Sequence, residues 1–256
     1  MKEKRALPRP LIITLIVILI LACAAGIYLA LGDAVPSPRA IIGSLFNLSP
    51  LPKSGIQEDL AAMARSNPEA AAFAAAYTSP APFPQLNISS ELTKGTVPRL
   101  CQWDTRWGYY RYGTGLMGYT GCGPTALSMV LCGLTGNGKY HPAYVAKFAS
   151  ENGYCVPGNG TSWKLFSEGA EKLGLKAKEL ALTEALVARE LESGRPIICI
   201  MGPGHFTTSG HYIVLTGYAD GSVDVLDPYR ESSSKAWKFS DISGEIRNLW
   251  SYEVQE

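Results

Sequence analysis

The 256-residue sequence predicts an α+β domain, an N-terminal helical half packed on an antiparallel β-sheet, carried behind one transmembrane helix and a stalk. Between residues 122 and 192, apolar residues recur at helical spacing between cap residues and glycine stops. From Pro196 onward, short β-rich runs take over, and Asp220-Gly221 between two of them is a hairpin signal. Residues 11–31 carry no charge over roughly twenty positions, the length that crosses about 30 Å of hydrocarbon as a helix.

Lys2, Lys4, Arg5 and Arg9 precede the apolar run against a single Glu3. The excess of positive charge keeps residues 1–10 cytoplasmic, makes 11–31 a membrane anchor and exports the chain beyond Gly32. A cleaved signal peptide at Ala22-Cys23-Ala24 and a lipoprotein signal at Cys23 are the rivals. The run continues past Cys23 through Ile27, Tyr28 and Leu29, and Leu21 suits a lipidation site poorly, so the uncleaved anchor is preferred. Residues 32–95 form a Pro- and Ala-rich stalk with short helices at 56–65 and 68–77, Asn67 capping between them and Pro68 at a first helical position. These helices either lie on the following domain or space it from the membrane, and the spacer is the simpler reading. Residues 96–256 have the composition of one compact domain, about 160 residues with a single core.

Within that domain, one helix begins at Cys122 and ends near Gly133, and a second covers 142–151. A third runs from a Thr161 or Ser162 cap to Leu173 and stops at Gly174; a fourth runs from a Thr183 cap to Glu192 and stops at Gly194. Strands are expected at 196–201, 211–218 and 222–226, with further short ones at 235–239 and 249–254.

A net charge of +1 gives no electrostatic case for a nucleic-acid partner, so chemistry must be sought in particular residues. Cys122, flanked by Gly121 and Gly123 and followed by Pro124, sits where a helix starts, and unpaired N–H groups there favour thiolate over thiol. His211 opens one predicted strand and Asp227 closes the next. An ideal two-residue turn at Asp220-Gly221 would pair positions summing to 441 and put these two side chains on opposite faces. A bulged, three-residue connection with sum 442 is therefore expected, since it puts them on one face. His211 can then take the Cys122 proton while Asp227 orients the ring. Asp220 and Asp224 are expected to be solvated, and His141 and His205 plain surface residues. Gln102, a neutral double donor upstream of the cysteine, suits an oxyanion-hole role.

The motifs Gln102-Trp103-Asp104-x-x-Trp107, GCGPT at 121–125, GHYIVLTGY at 210–218 and Asp227-Pro228, in this order, resemble papain-fold cysteine peptidases related to bacteriocin-leader (double-glycine) processing peptidases. The resemblance covers residues 96–256. It implies a papain-like fold, Cys122 as nucleophile, His211 as general base, Asp227 as orienting acid and Gln102 in the oxyanion hole. Asn67-Pro68-Glu69 resembles an upstream segment of membrane-anchored members from Gram-positive bacteria. With one membrane segment and no transporter bundle or Walker-type loop, this chain is not expected to share the double-glycine leader specificity of the transporter-linked members.

No cofactor is expected, and metal binding is not, since no His or Cys pair has ligand spacing. Cys101, Cys122, Cys132, Cys155 and Cys199 fall in the exported part, where an odd number leaves one thiol free and few or no disulfides are expected. The leading expectation is a membrane-anchored extracellular peptidase acting on a peptide or protein. An endopeptidase or amidase on peptidoglycan stem peptides and a catalytically silent surface module are the alternatives.

Overall fold

The computed structural model describes residues 55–255 apart from Pro157 and Asn159, so the predicted tail, anchor and first part of the stalk lie outside the described residues. Among the described residues, no helix is long and apolar enough to cross a membrane. The described residues open with α1 (Ile56–Ser66), a 3₁₀ turn (Pro68–Ala70) and α2 (Ala71–Ala75). A small hairpin follows, β1 (Arg111–Tyr112) with β2 (Gly115–Leu116), then α3 (Met117–Thr120), α4 (Cys122–Thr135) and α5 (Pro142–Glu151). Next come the hairpin β3 (Cys155–Val156) and β4 (Gly160–Thr161), α6 (Glu168–Lys172), β5 (Leu175–Glu179) and α7 (Glu184–Glu192). Strands β6 (Ile197–Met201), β7 (His211–Ala219), β8 (Ser222–Leu226) and β9 (Ala236–Lys238) precede α8 (Phe239–Ile242) and β10 (Ile246–Val254).

One six-stranded sheet in the order β5-β10-β6-β7-β8-β9 organises the domain, and every neighbouring pair is antiparallel. β6 is apolar at every position because both its faces are covered. Ile198, Ile200, Tyr212 and Val214 pack with α4 and α5 on one face, while Ile197, Cys199, Ile213 and Leu215 pack with α7 and α8 on the other. The result is an α+β domain of helices on both sides of an antiparallel sheet.

The short helices upstream are not a spacer. Leu60, Met63, Ala70 and Phe73 form a cluster with Leu116, flanked by Trp103, Tyr109, Tyr119 and Tyr229 of the domain. Phe73 stacks on Tyr109 at 4.3 Å and lies in a slot floored by Gly108 and Gly118, where a Cβ would come within 2.5 Å of its ring. Farther along, Ile88 is fully buried in the main core, so the core reaches upstream of residue 96. Asn67 caps neither flanking helix through its side chain.

Several predicted boundaries shift for physical reasons. α4 runs past Gly133 to a left-handed Gly136, because Gly133 lies flat against Val97 with no room for a Cβ: it is a packing glycine, not a stop. The third helix is two pieces, a 3₁₀ turn capped by Ser162 and then α6, separated by Ser167 at φ −108, ψ −93. β5 is absent from the elements the sequence predicts because Leu-Lys-Ala-Lys-Glu is a charged edge strand, of the kind that guards a sheet against further pairing.

His141 is a buried helix cap and not a surface residue: its Nδ1 accepts the Tyr144 N–H at 3.3 Å at the start of α5. Burial, helped by the charge of Arg106, pushes its pKa down to about 4. As pH falls below about 6.5 the unfolded chain binds a proton that the folded chain does not bind until about pH 4, so this residue's contribution to stability is lost across that window. His141→Asn keeps a cap acceptor without the titration. Denaturant melts at pH 7 and pH 4.5 should show the variant losing on the order of 2 kcal/mol less than the native chain; equal losses would reject the assignment.

Candidate active site

The turn between β7 and β8 brings the predicted residues together by a different route from the one the sequence suggested. Asp220 and Gly221 both have positive φ (47° and 74°), as a tight two-residue turn requires, and Gly217↔Asp224 through Ala219↔Ser222 keep the register summing to 441. Between Leu215 and Gly217 the register shifts, so Leu215 pairs Val225 and Val214 pairs Leu226, leaving Thr216 as an extra residue. The correction to an even sum thus comes from a bulge inside the strand, in the direction of 440 and not 442. His211 and Asp227 consequently share a face.

They meet in a buried hydrogen bond, His211 Nε2 to Asp227 Oδ1 at 2.7 Å. The same Oδ1 accepts the Tyr229 N–H at 2.7 Å, and the Asp227 N–H donates to Ser234 Oγ at 2.9 Å. With Nε2 committed to Asp227, Nδ1 is the ring nitrogen left for Cys122. Burial lowers the His211 pKa, but the Asp227 charge and hydrogen bond together with Cys122 outweigh it and the net shift is upward.

Cys122 starts α4. That helix has no side-chain N-cap and no acid in its first turn. Burial alone would raise the thiol pKa; hydrogen bonding to His211, the His211 charge and the N–H groups of Tyr212 and Gly123 reverse this and the net shift is downward. The two opposed shifts describe one shared proton and favour a thiolate–imidazolium pair. The flanking glycines serve close packing: a Cβ on Gly123 would meet Thr161 Oγ1 at 2.7 Å, and one on Gly121 would meet Met117 O at 2.5 Å. The β3–β4 hairpin is therefore pressed onto the start of the helix.

Gln102 is 1% exposed and lines the cleft with Cys122 and His211. Its Nε2 donates to Gly118 O at 3.0 Å, which orients the amide and leaves one N–H uncommitted there, while its backbone N–H donates to Pro228 O at 2.8 Å. Sequence reasoning missed the rest of the cleft wall: Tyr119, Tyr229, Arg230 and Ser66, and also His205, which is held at the rim by Glu245 through Nδ1 at 2.5 Å. No motif marks these residues, since they converge from four separate stretches of chain. A second groove also reaches Cys122, lined by Tyr212, Gly160 and the 48%-exposed Trp163. Asp224 is exposed on β8, as expected of a solvated carboxylate. The five described cysteines are free thiols, with Cys132 and Cys199 in the core and their pKa values pushed up by burial.

A family model described as the Peptidase_C39 like family matches residues 94–255. Among solved structures, the chain is similar to a C39-like peptidase from Bacillus anthracis, with 21% identity, TM-score 0.42 and coverage of 63% of this chain and 96% of that one. It is also similar to the peptidase domain of Streptococcus ComA, a bi-functional ABC transporter involved in a quorum sensing pathway, with 19% identity, TM-score 0.41 and coverage of 54% and 93%. No curated protein matches the sequence.

Replacing His211 by Ala removes the interactions that hold the thiol pKa down and leaves burial to raise it. The pH profile of Cys122 alkylation by iodoacetamide should move above the ordinary thiol pKa of about 8.5, with the rate at pH 6.5 falling at least about tenfold. An unmoved profile would refute the ion pair.

Proposed function

Because the chain belongs to the Peptidase_C39 like family and is a cysteine peptidase, we propose that Cys122 is its nucleophile, His211 its acid–base and Asp227 the carboxylate that orients the ring. The observation that carries this reading is the buried 2.7 Å bond from His211 to Asp227, made beside a cysteine at an uncapped helix N-terminus. The Cys122 thiolate attacks the carbonyl carbon of a peptide bond, and its sulfur forms a bond to that carbon. Charge moves to the carbonyl oxygen, which receives the Cys122 backbone N–H at the first helical position and the uncommitted Gln102 N–H. Collapse of this intermediate breaks the C–N bond, and the His211 imidazolium gives its proton to the departing amine. Water, losing a proton to His211, then attacks the acyl-thioenzyme; the acid leaves and the thiolate returns. Nothing in the site favours a silent binding module, since all three side chains are present and paired.

The substrate is a peptide or protein. Two grooves that share Cys122 in their lining offer room for an extended chain beside the thiol. The anchor at 11–31 and the positive residues before it support a domain held outside the cell membrane. On intact cells, a membrane-impermeant thiol electrophile should label this chain at neutral pH at least about tenfold faster than a Cys122→Ala variant, whose partly exposed Cys101 and Cys155 remain as slow background thiols. Labelling only after lysis would reject the outward orientation, and equal labelling of the variant would reject the nucleophile.

Adding active enzyme or Cys122→Ala to surface peptides and to muropeptide fragments, and comparing new N-termini, identifies the substrate. Cleaved peptides support the reading; cleaved muropeptides alone replace it with the stem-peptide alternative. Against the cleaved substrate, Gln102→Ala should lower kcat about 10²–10³-fold with KM little changed, and an unchanged kcat would remove Gln102 from the oxyanion hole.

A further inference from the structure

The loop that carries Asp227 is tied to a segment lying wholly upstream of the family-matched residues 94–255. Asn67, buried between α1 and α2, donates its Nδ2 to the Tyr229 carbonyl at 2.6 Å. The Glu69 carboxylate accepts two consecutive backbone N–H groups, that of Glu231 at 2.6 Å and that of Ser232 at 3.1 Å. In the other direction, Arg230 donates to the Ser66 carbonyl at 2.7 Å, and the hydroxyls of Ser66 and Tyr229 lie 3.2 Å apart. Residues of the stretch 66–69 thus engage four consecutive residues, 229–232.

We propose that Asn67 and Glu69 are positioning residues for the catalytic histidine, acting through this loop. This inference rests on the assignment of Cys122 and His211 as the reacting pair. The path from clamp to ring is short and polar throughout. Asn67 fixes the Tyr229 carbonyl, the Tyr229 N–H binds Asp227 Oδ1, and the same oxygen binds His211 Nε2. The domain itself supplies only part of the hold, through Trp103 Nε1 to the Tyr229 carbonyl at 2.8 Å and Gln102 N–H to Pro228 O. Beyond Pro228, Glu231–Ser233 is a single 3₁₀ turn without a side-chain cap from the domain. Glu69 supplies the missing acceptor at the start of that turn. Burial and the nearby Asp227 charge resist its ionisation, but the hydrogen bonds from Ser232 and the two backbone N–H groups keep its pKa below the ordinary range, so it is an anion across the working pH. Asp227, Glu69, Glu231 and Cys101 are the titratable groups that face one another around the loop, with Arg99 paired to Glu231 at its outer edge.

A clamp that only stabilises the fold and one that aims Asp227 differ in what they do to Cys122. In the full-length chain, the iodoacetamide alkylation rate of Cys122 is measured from pH 5 to 10 for the native protein, Asn67→Ala, Glu69→Gln and Glu69→Asp, with Cys122→Ala as the blank. Asn67→Ala should lose about fivefold in rate at pH 6.5, one hydrogen bond's worth, while converging on the native rate at pH 10 where the Cys122 thiol is ionised in both proteins. Glu69→Gln, an exposed and isosteric change that leaves the core intact, should shift in the same direction, and Glu69→Asp should restore the native profile at least in part. Profiles of Asn67→Ala and Glu69→Gln that overlay the native one, whatever happens to their melting temperatures, would overturn the proposal. If the native chain itself shows no Cys122-dependent alkylation below pH 7, the nucleophile assignment fails instead.

Discussion

The hairpin register of β7 and β8 decides whether Cys122 has partners. Its two-residue turn, fixed by the positive φ of Asp220 and Gly221, sets a pairing in which His211 and Asp227 would face opposite sides of the sheet. Thr216, the extra residue, reverses the parity of everything between itself and the start of β7. Without it, the His211–Asp227 bond could not form, the ring would have no fixed orientation, and the start of α4 would hold an isolated buried thiol with a raised pKa, as Cys199 is.

Given that register, the electrostatics are governed by burial. Neither charge of a thiolate–imidazolium pair would survive alone at the buried position of His211 on the cleft wall, and desolvation opposes both ionised forms. The pair is held by converging partners: the Asp227 carboxylate on one ring nitrogen, the sulfur left to the other, and on the sulfur the backbone N–H groups of Gly123 at the uncapped helix start and of Tyr212 on β7. An ordinary N-cap side chain at position 121 would compete for those donors. Glycine there avoids this and also lets Met117 approach the backbone closely.

The helices upstream of the domain extend the same logic outward. Phe73 seats them in a slot made by two glycines, and Asn67 and Glu69 then reach the backbone of the loop after Asp227. The wall of the cleft is shared in consequence: Ser66 comes from the upstream segment, Tyr119 from α3 and Arg230 from the loop after β8. A segment that composition alone marks as a spacer is a structural part of the site.

What the sequence determined by itself is whatever local chemistry dictates. The helices α5 and α7, the strand β8, the helix start at Cys122 and the turn at Asp220-Gly221 were all readable, because each depends on neighbours a few residues away, whereas Cys122, His211, Asp227 and Gln102 were singled out by the order of four motifs along the chain and the family those motifs resemble. The need for a parity correction in the hairpin was readable too, from counting alone. Its place at Thr216 was not, since a bulge is set by what the strand packs against on both faces. Tertiary structure alone decided that Gly133 is a contact surface and not a helix end, that the lysine-rich β5 joins the sheet, that His141 is buried, and that Asn67 serves a loop 162 residues away and not its own helix. In each case the deciding partner is distant along the chain, and no local pattern of spacing or propensity records it.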